Sequence, residues 1–413
     1  MTLNVESGFK NFRIEYVAEA STGVAPANPT YLLFADRMRS INVQSEAGIA
    51  PLRFLGDSDV DSFVLGAEDA SIAFEYAQED RDLTGDILED AITRNADNNL
   101  SASFTVVVRE ERTLDVGLNL GGSRVYSVGK GGFITSFNLA GELDPPEPLI
   151  ATSTLTFEKV RSYRVDQPLA TTLIGFKSSS AADVTQSVTI ESDGTPATVD
   201  QTAAVAGITY VSMGVTTYAS MDSISLDLEC AGDIIVSINT GTDAAPVEGA
   251  VLCTIRGSTY YGGGEGDLGI PPLGTGAHAS AIAGTFATLS GSTILWSAAA
   301  LADVVVSSAD FSTDNMIGGQ VLPTAGTRRK KILVGGTEHI ANANVVGEFA
   351  SHANIDDHLG GTAATFTWKI SATGSNKTIN LTGTIKQAVP RVYDQSAAME
   401  IGLSFQGKAL TIV

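Results

Sequence analysis

The chain has little cysteine, little positive charge and no long apolar run. Its 413 residues include 2 cysteines, too few for a disulfide scaffold. With 25 Lys and Arg against 47 Asp and Glu, the formal net charge is −22, which argues against recognition of nucleic acid through a basic patch. The best apolar run, residues 297–306, is interrupted by Asp303 and is too short for a membrane span. The N-terminal residues lack a basic region followed by an apolar core, so we expect no secretory signal peptide.

The sequence offers few residues for catalysis or metal binding. His352, Asp356, Asp357 and His358 form HANIDDH, but their spacing matches no structural zinc pattern, and a solvated loop accounts for them. The glycines at 262–264 are not followed by Lys and Ser or Thr, so they do not predict a phosphate-binding loop. Four histidines leave few general-base candidates, and no Ser/His/Asp or Cys/His set is discernible. We therefore expect no enzymatic activity, and we assign no cofactor and no metal site.

Residues 100–143 have a second copy, in the same order, at residues 362–410. Phe104 matches Phe366, and the Arg-Val-Tyr tripeptide at 124–126 matches that at 391–393. In addition, TYLLFADRMRSINVQS (30–45) parallels TILWSAAALADVVVSS (293–308), and DSFVLGAEDA (61–70) parallels KKILVGGTEH (330–339). Apolar and polar residues alternate in both copies, which predicts strands with one buried face. The chain is therefore predicted to contain a duplicated β-unit.

The segment between the two copies has a different composition. Residues 167–259 are rich in Thr, Ser and Val and contain almost no Lys or Arg, which predicts a small Ig-like β-sandwich. Cys230 and Cys253 lie within it, either as two buried apolar side chains or as a disulfide between its sheets. We predict a mainly β protein with a first unit at 1–166, an Ig-like sandwich at 167–259, and a linker with a second unit at 260–413.

One helix is predicted, at residues 86–94 of the first copy. Asp86 and Glu89 have the spacing of a capping box, and Ile87, Leu88 and Ile92 belong to an apolar stripe. Residues 351–361 hold the corresponding place in the second copy and are predicted to form only a single helical turn.

Corresponding loops of the two copies carry opposite charge. The loop before FVLGAED is acidic, and the loop before ILVGGTEH is basic. Either both loops are simply solvated, or they meet across a contact between subunits or rings, where opposite potentials would fix the register of assembly. The residues predicted for this contact are Asp57, Asp59, Asp61, Arg328, Arg329, Lys330 and Lys331.

This order of elements resembles the major tail tube protein of long-tailed, non-contractile (siphovirus-like) bacterial or archaeal viruses. The matching stretches are PANPTYLLF, the long loop before FVLGAEDASIAFEYA, the helix near DILEDAITR, and FITSFNLAGELDPPE. The resemblance covers residues 10–165 strongly and 285–413 more weakly. It implies two tail-tube-type β-sandwich or barrel domains, the first with one flanking helix, that close into rings of six units. With two units per chain, such a ring contains three chains, and rings stack into a tube.

The resemblance implies a structural virion protein whose tube conducts viral DNA during ejection. Its partners would be other copies of itself, tail proteins at the tube ends, and viral DNA that passes without sequence-specific binding; no membrane is involved. The implied location is the virion tail, after assembly in the host cytoplasm. The alternatives are another virion component, such as a spike, hub or decoration protein, or an Ig-like surface-binding protein.

The polar sides of the alternating strands are expected to line the lumen. The lumen is expected to be acidic or neutral, because basic groups there would bind phosphates and stall DNA. The expected lumen-facing residues are Glu75, Asp115, Asn119, Asn380, Glu400 and Gln406. The apolar residues expected in the cores are Ile72, Phe74, Val116, Leu118, Leu381, Ile401, Leu403 and Phe405.

Overall fold

A computed structural model shows a protein built almost entirely from antiparallel β-strands, which confirms the predicted mainly β class. The structure describes residues 12–24, 26, 31–35, 38–52, 62–78, 100, 102–112, 123–168, 171–180, 186–192, 195–201, 209–226, 232–255, 286–296, 299–300, 305–321, 330–346, 364–370, 378–388 and 400–412. The predicted helix at 86–94 lies outside these residues. Among them, no helix is long and apolar enough to cross a membrane.

The described residues of the first unit form eight strands. They are β1 (Phe12–Ala18), β2 (Leu32–Ala35), β3 (Met38–Leu52), β4 (Ser62–Ala77), β5 (Phe104–Arg112), β6 (Ser123–Glu142), β7 (Ile150–Phe157) and β8 (Lys159–Asp166). Buried and partly exposed residues alternate along β7 and from Ala70 to Ala77 of β4, as expected for strands that bury one face.

An inserted segment follows the first unit. Its strands are β9 (Ile174–Ser178), β10 (Gln186–Ser192), β11 (Thr195–Gln201), β12 (Val211–Ser212), β13 (Ser223–Leu226), β14 (Ile234–Asn239) and β15 (Glu248–Ile255). β11, β10 and β13 form one small sheet, and β12, β9, β14 and β15 lie side by side in the large sheet, which continues from β15 into β8 of the first unit. Val188 and Ile224 of the small sheet pack in one apolar cluster with Phe176 and Val236 of the other. Two facing sheets with a shared core are the arrangement of a β-sandwich.

The second unit begins with a 3-10 turn at Leu289–Gly291, which the Thr288 side chain caps by accepting a hydrogen bond from the Gly291 N–H. Its strands are β16 (Thr293–Trp296), β17 (Ala299–Ala300), β18 (Val305–Val321), β19 (Lys330–Val346), β20 (Ala364–Lys369), β21 (Thr378–Ala388) and β22 (Glu400–Ile412).

Strand β6 belongs to two sheets and links them. Its first part, Ser123 to Lys130, pairs with β5 and β8, whereas the part after Phe133 pairs with β7. Gly131, at the crossing point, has a φ of +65°, a conformation that glycine adopts without steric cost. Its N–H donates to the Glu19 carboxylate over 2.9 Å. Glu19 therefore helps to fix the point at which β6 changes sheet.

The two units repeat one pairing scheme. Within the first unit, β1 to β7 pair with one another in the same way as β16 to β22 do within the second, taken in order. Irregularities recur at the same positions: the shift between Ala47 and Ile49 in β3 has its counterpart between Asn315 and Ile317 in β18. The parallel drawn between residues 61–70 and 330–339 agrees with this register, since Ala70 corresponds to His339.

Two of the matches proposed from the sequence are wrong in the strand pairing of the two units. Residues 293–296 form β16, whose neighbours correspond to those of β1 and not to those of β2. The first Arg-Val-Tyr tripeptide lies in β6, whose counterpart β21 ends at Ala388, so the tripeptide at 391–393 follows the corresponding strand and lies outside the described residues. Phe104 and Phe366 do lie on corresponding strands, and both are buried. Strand pairing depends on contacts distant in sequence, so a short local match did not fix the correspondence.

One apolar core runs through both units, and a second joins the first unit to the inserted segment. The first contains five of the predicted core residues, Ile72, Phe74, Leu381, Leu403 and Phe405. Val116 and Leu118 lie outside the described residues, and Ile401 is described only as part of β22. In the second core, Val107, Tyr126 and Tyr163 of the first unit pack with Phe176 and Ile234. The predicted boundaries at 166 and 259 remain predictions, but packing crosses the first of them.

Candidate assembly surface

Seven neighbouring strands of the large sheet cross from the first unit to the second, and we call them the seven-strand sheet; β21 pairs with the last of them, β22, on its outer side. The order of the seven strands is β3-β4-β7-β6-β18-β19-β22. The joint between the units is the antiparallel pairing of Ser308 to Asp314 in β18 with Ser136 to Glu142 in β6. Asn315 extends this joint by donating from Nδ2 to the Ile134 carbonyl over 2.8 Å, and it accepts from Thr337 over 2.7 Å. The two units are therefore held together by backbone pairing as well as by side-chain packing.

One face of this sheet carries mostly polar residues across its width, with a few apolar ones such as Ile150 and Ile340 among them. A single row of register partners illustrates it: Ser40, Glu75, Thr152, Asn138, Ser312, Ile340 and Gln406. The opposite face carries the apolar core. Amide side chains link neighbouring strands on the polar face: Asn342 donates to Asp310 over 2.7 Å, and Gln406 donates to Glu338 over 2.8 Å.

The polar face has an acidic balance. Where the structure describes side chains on this face, its acidic residues include Glu75, Glu142, Asp310, Asp314 and Glu338. Arg39 lies beside Glu75, with 3.6 Å between Nε and Oε1. Burial raises the pKa of Asp310 above its ordinary value, and the hydrogen bond from Asn342 opposes that rise. An acidic surface with these amide links repels phosphate groups and offers them few donors.

The structure brings together some of the predicted lumen residues and separates another. Glu75 and Gln406 stand in the same row, on strands of different units. Glu400 begins β22 and pairs with Val346. Asn380 is elsewhere: it pairs with Thr367 and Thr411, accepts a 2.8 Å hydrogen bond from Thr367, and lies on β21, outside the seven-strand sheet. Asp115 and Asn119 lie outside the described residues.

The oppositely charged stretches fall at corresponding places in the two units. Asp57, Asp59 and Asp61 follow β3 and precede β4, and Arg328 and Arg329 follow β18 and precede β19. These five residues lie outside the described part of the chain. Lys330 and Lys331 are the first residues of β19 and pair with Val321 and Gln320. The contact predicted for the seven residues stays a prediction.

The sequence analysis missed a buried polar junction between the first unit and the inserted segment. Arg109 on β5 forms an ion pair with Glu15 on β1, and its guanidinium lies 5.2 Å from the centre of the Tyr126 ring. Arg124 on β6 forms an ion pair with Asp222 of the inserted segment, whose carboxylate also accepts from Ser220 over 2.9 Å. The available signal was the charged residues within otherwise apolar stretches of β1 and β5, such as FRIEYVA.

The described residues contain no group of three or more His, Cys, Asp or Glu side chains that could hold a metal ion. His352, Asp356, Asp357 and His358 lie outside the described part. Cys253 is a free thiol that is buried in the second core, which confirms the reading of this residue as a small apolar side chain. Burial raises the pKa of its thiol to about 12, so it stays protonated at neutral pH.

Comparison with known proteins finds similarity in structure but none in sequence. No protein-family model matches the chain, and no curated protein sequence matches it. The chain is similar to a chain in the 6-fold symmetrised cryo-EM structure of the anti-feeding prophage (AFP) baseplate, with 13% sequence identity and a TM-score of 0.27. The similarity covers 39% of this chain and 97% of that chain. At this TM-score it bears on neither the assembly nor the function of the protein.

Proposed function

We propose that the protein is a structural virion protein that assembles into stacked rings and forms a tail tube through which viral DNA passes. The observation that carries this proposal is the seven-strand sheet, which crosses both units and has one mostly polar face with an acidic balance. The wall of a hollow tube requires a sheet that has one solvated face and one face packed on a core.

The acidic balance of this face suits a channel for DNA. Lys and Arg side chains that neutralise phosphates release counterions and so hold DNA in place. A wall that displays Glu75, Asp314 and Glu338 repels the phosphates and lets the duplex move. No enzymatic activity, cofactor or membrane belongs to this proposal.

The subunit arrangement follows from the repeat together with the tail tube resemblance. If a ring holds six units and each chain supplies two, the ring contains three chains in a closed cyclic assembly. The partners are then further copies of the chain, tail proteins at the tube ends and the passing DNA, and the location is the virion tail after assembly in the host cytoplasm.

Electron microscopy of the concentrated protein in negative stain tests the proposal. Rings or tubes with a central channel are expected, and native mass measurement of isolated rings should give three chains. A protein that remains monomeric over a wide range of concentration and salt would overturn the tube function. Rings of six chains would preserve the tube but contradict the assignment of two ring units to each chain.

A further inference from the structure

The joint between the two units of one chain is a template for a joint between chains. On β6, one edge pairs first with β5 and then with β18. On β21, the corresponding edge pairs with β20 as far as Gly383. Beyond that point, from Thr384 to Ala388, β21 pairs only with β22 among the strands that the structure describes. The place that β18 takes on β6 thus has no occupant on β21 within the described chain.

The complementary edge is on β3. In the second unit, β18 pairs with β19 on one side and with β6 on the other. Its counterpart β3 pairs with β4, and no other strand among the described residues pairs with it. Within the described part of the chain, each unit therefore has one strand edge without a paired strand, and these two edges correspond to the two sides of the internal joint.

Burial at corresponding positions shows what the edge of β3 lacks. From the pairing of β3 with β4 and of β18 with β19, Val43 of the first unit corresponds to Phe311 of the second, and Ser45 corresponds to Thr313. Phe311 is fully buried, whereas Val43 is only partly buried. Thr313 is 1% exposed, whereas Ser45 is exposed. Corresponding residues of the two units thus differ in burial at the place where β6 lies beside β18 and where no described strand pairs with β3 on that side.

We infer that β3 of one chain pairs antiparallel with Thr384 to Ala388 of β21 in a second copy of the chain, in the register of the internal joint. Thr313 pairs with Phe137 and Asp314 pairs with Ser136 inside the chain. The corresponding pairs between chains are Ser45 with Ala388 and Glu46 with Gln387, because β21 has the register of β6 against its neighbour. This inference rests on the proposed function and specifies the contact that closes the ring.

The geometry of such a joint decides the kind of assembly. Since each unit is then joined to the next in the same way within and between chains, successive units are related by one repeated rotation. The contact is head-to-tail, so it closes into a ring with an even number of units or continues as a helix. Ser40, Asn42 and Gln44 of β3 are exposed, and they extend the polar face across the joint. Pairing would also cover two strand edges that otherwise favour aggregation.

Cysteine cross-linking tests the register. In a Cys230→Ser, Cys253→Ala background, one chain carries Ser45→Cys and a second carries Ala388→Cys, and the two are mixed and oxidised under assembly conditions. Directly opposed residues in an antiparallel pair lie within disulfide distance, so a covalent dimer of the two chains is expected. The control replaces Ser45→Cys with Glu46→Cys, whose side chain points to the other face, and should give about tenfold less dimer.

The outcomes separate this inference from the proposed function. Rings or tubes that form without cross-links at Ser45–Ala388, and also without them at a Glu46→Cys, Gln387→Cys pair, would overturn the joint and leave the tube function standing. Equal cross-linking of the matched and the shifted pair would also overturn it. Absence of rings and tubes from the unmodified protein would instead overturn the proposed function.

Discussion

Arg109 donates from Nε to the Glu15 carboxylate over 2.7 Å, and both side chains are buried. The two residues lie 94 positions apart in the chain, on the paired strands β5 and β1. The same guanidinium packs over the Tyr126 ring, which belongs to the core shared with the inserted segment. The pair therefore neutralises two charges at the boundary between the first unit and the segment that covers it.

Removal of one partner of this pair should be costly. Arg109→Ala leaves the Glu15 carboxylate buried without its cation, and we expect the free energy of unfolding to fall by about 3–5 kcal/mol. Urea denaturation followed by tryptophan fluorescence and circular dichroism measures the change. The matched control is Arg39→Ala, which removes an exposed ion pair with Glu75 and should cost about 0–1 kcal/mol.

The double variant Glu15→Leu, Arg109→Met separates charge burial from loss of packing. Since it removes both charges of the pair together, it should be more stable than Arg109→Ala. If the double variant and Arg109→Ala are equally unstable, packing alone accounts for the loss and the charge argument is wrong.

Glu19 should be needed as a carboxylate. Its two oxygens accept four hydrogen bonds, from the N–H groups of Gly23 and Gly131 and from the hydroxyls of Ser103 and Thr105. In Glu19→Gln an amide N–H₂ group replaces one of the two acceptor oxygens and faces the donors that this oxygen bound. We therefore expect the free energy of unfolding to fall by about 2 kcal/mol. The exposed Glu147→Gln, tested by the same denaturation assay, should stay within about 0.5 kcal/mol of the parent. A loss no larger than that of the control would show that the four bonds do not depend on charge.

The raised pKa of Asp310 predicts a pH dependence of stability. Burial favours the protonated carboxyl in the folded protein, so the folded state binds a proton more tightly than the unfolded state does. That contribution is present at low pH and is lost as the pH rises through the folded-state pKa. Asp310→Asn should therefore gain stability relative to the parent as the pH is raised from the acidic range toward neutral.

Thermal or urea unfolding at a series of pH values measures this difference. Ser312→Ala, on the same polar face but without a titrating group, should differ from the parent by a constant amount at every pH. A difference between Asp310→Asn and the parent that shrinks as the pH rises would contradict the direction assigned to the pKa.

The charged loops predict an effect on polymerisation. Changing Arg328, Arg329, Lys330 and Lys331 to Glu should impair tube formation at low salt, and adding Asp57→Lys, Asp59→Lys and Asp61→Lys should restore it in part. Each exposed pair contributes only about 0–1 kcal/mol, but a ring repeats it. Added salt should reduce the effect, because the Debye length is about 8 Å near physiological ionic strength. Sedimentation of assembled protein measures the outcome.

A charge-conserving variant is the control for that experiment. Exchange of Arg328 and Arg329 for Lys, with Lys330 and Lys331 exchanged for Arg, should polymerise like the parent. Parent-like polymerisation of the charge-reversed variant at low salt would show that both loops are merely solvated.

The sequence alone determined which face is buried on several of the strands. Alternation placed Ile72, Phe74, Leu403 and Phe405 in the core, because successive side chains of a strand point to opposite faces. The same local pattern identified the correspondence of β4 with β19, since both strands are long and keep their register. These features follow from neighbours two to four positions away, which a sequence displays directly.

Only the tertiary structure decided which strands meet and where charge is buried. Alternation gives Asn380 and Gln406 the same polar character, yet strand pairing puts Gln406 on the seven-strand sheet and Asn380 outside it. The β6–β18 joint links residues more than 160 positions apart, and Arg124 finds Asp222 only because the inserted segment folds back over the first unit. Strand pairing and the pairing of buried charges depend on groups that are distant in the chain. The local alternation of apolar and polar residues therefore does not predict them.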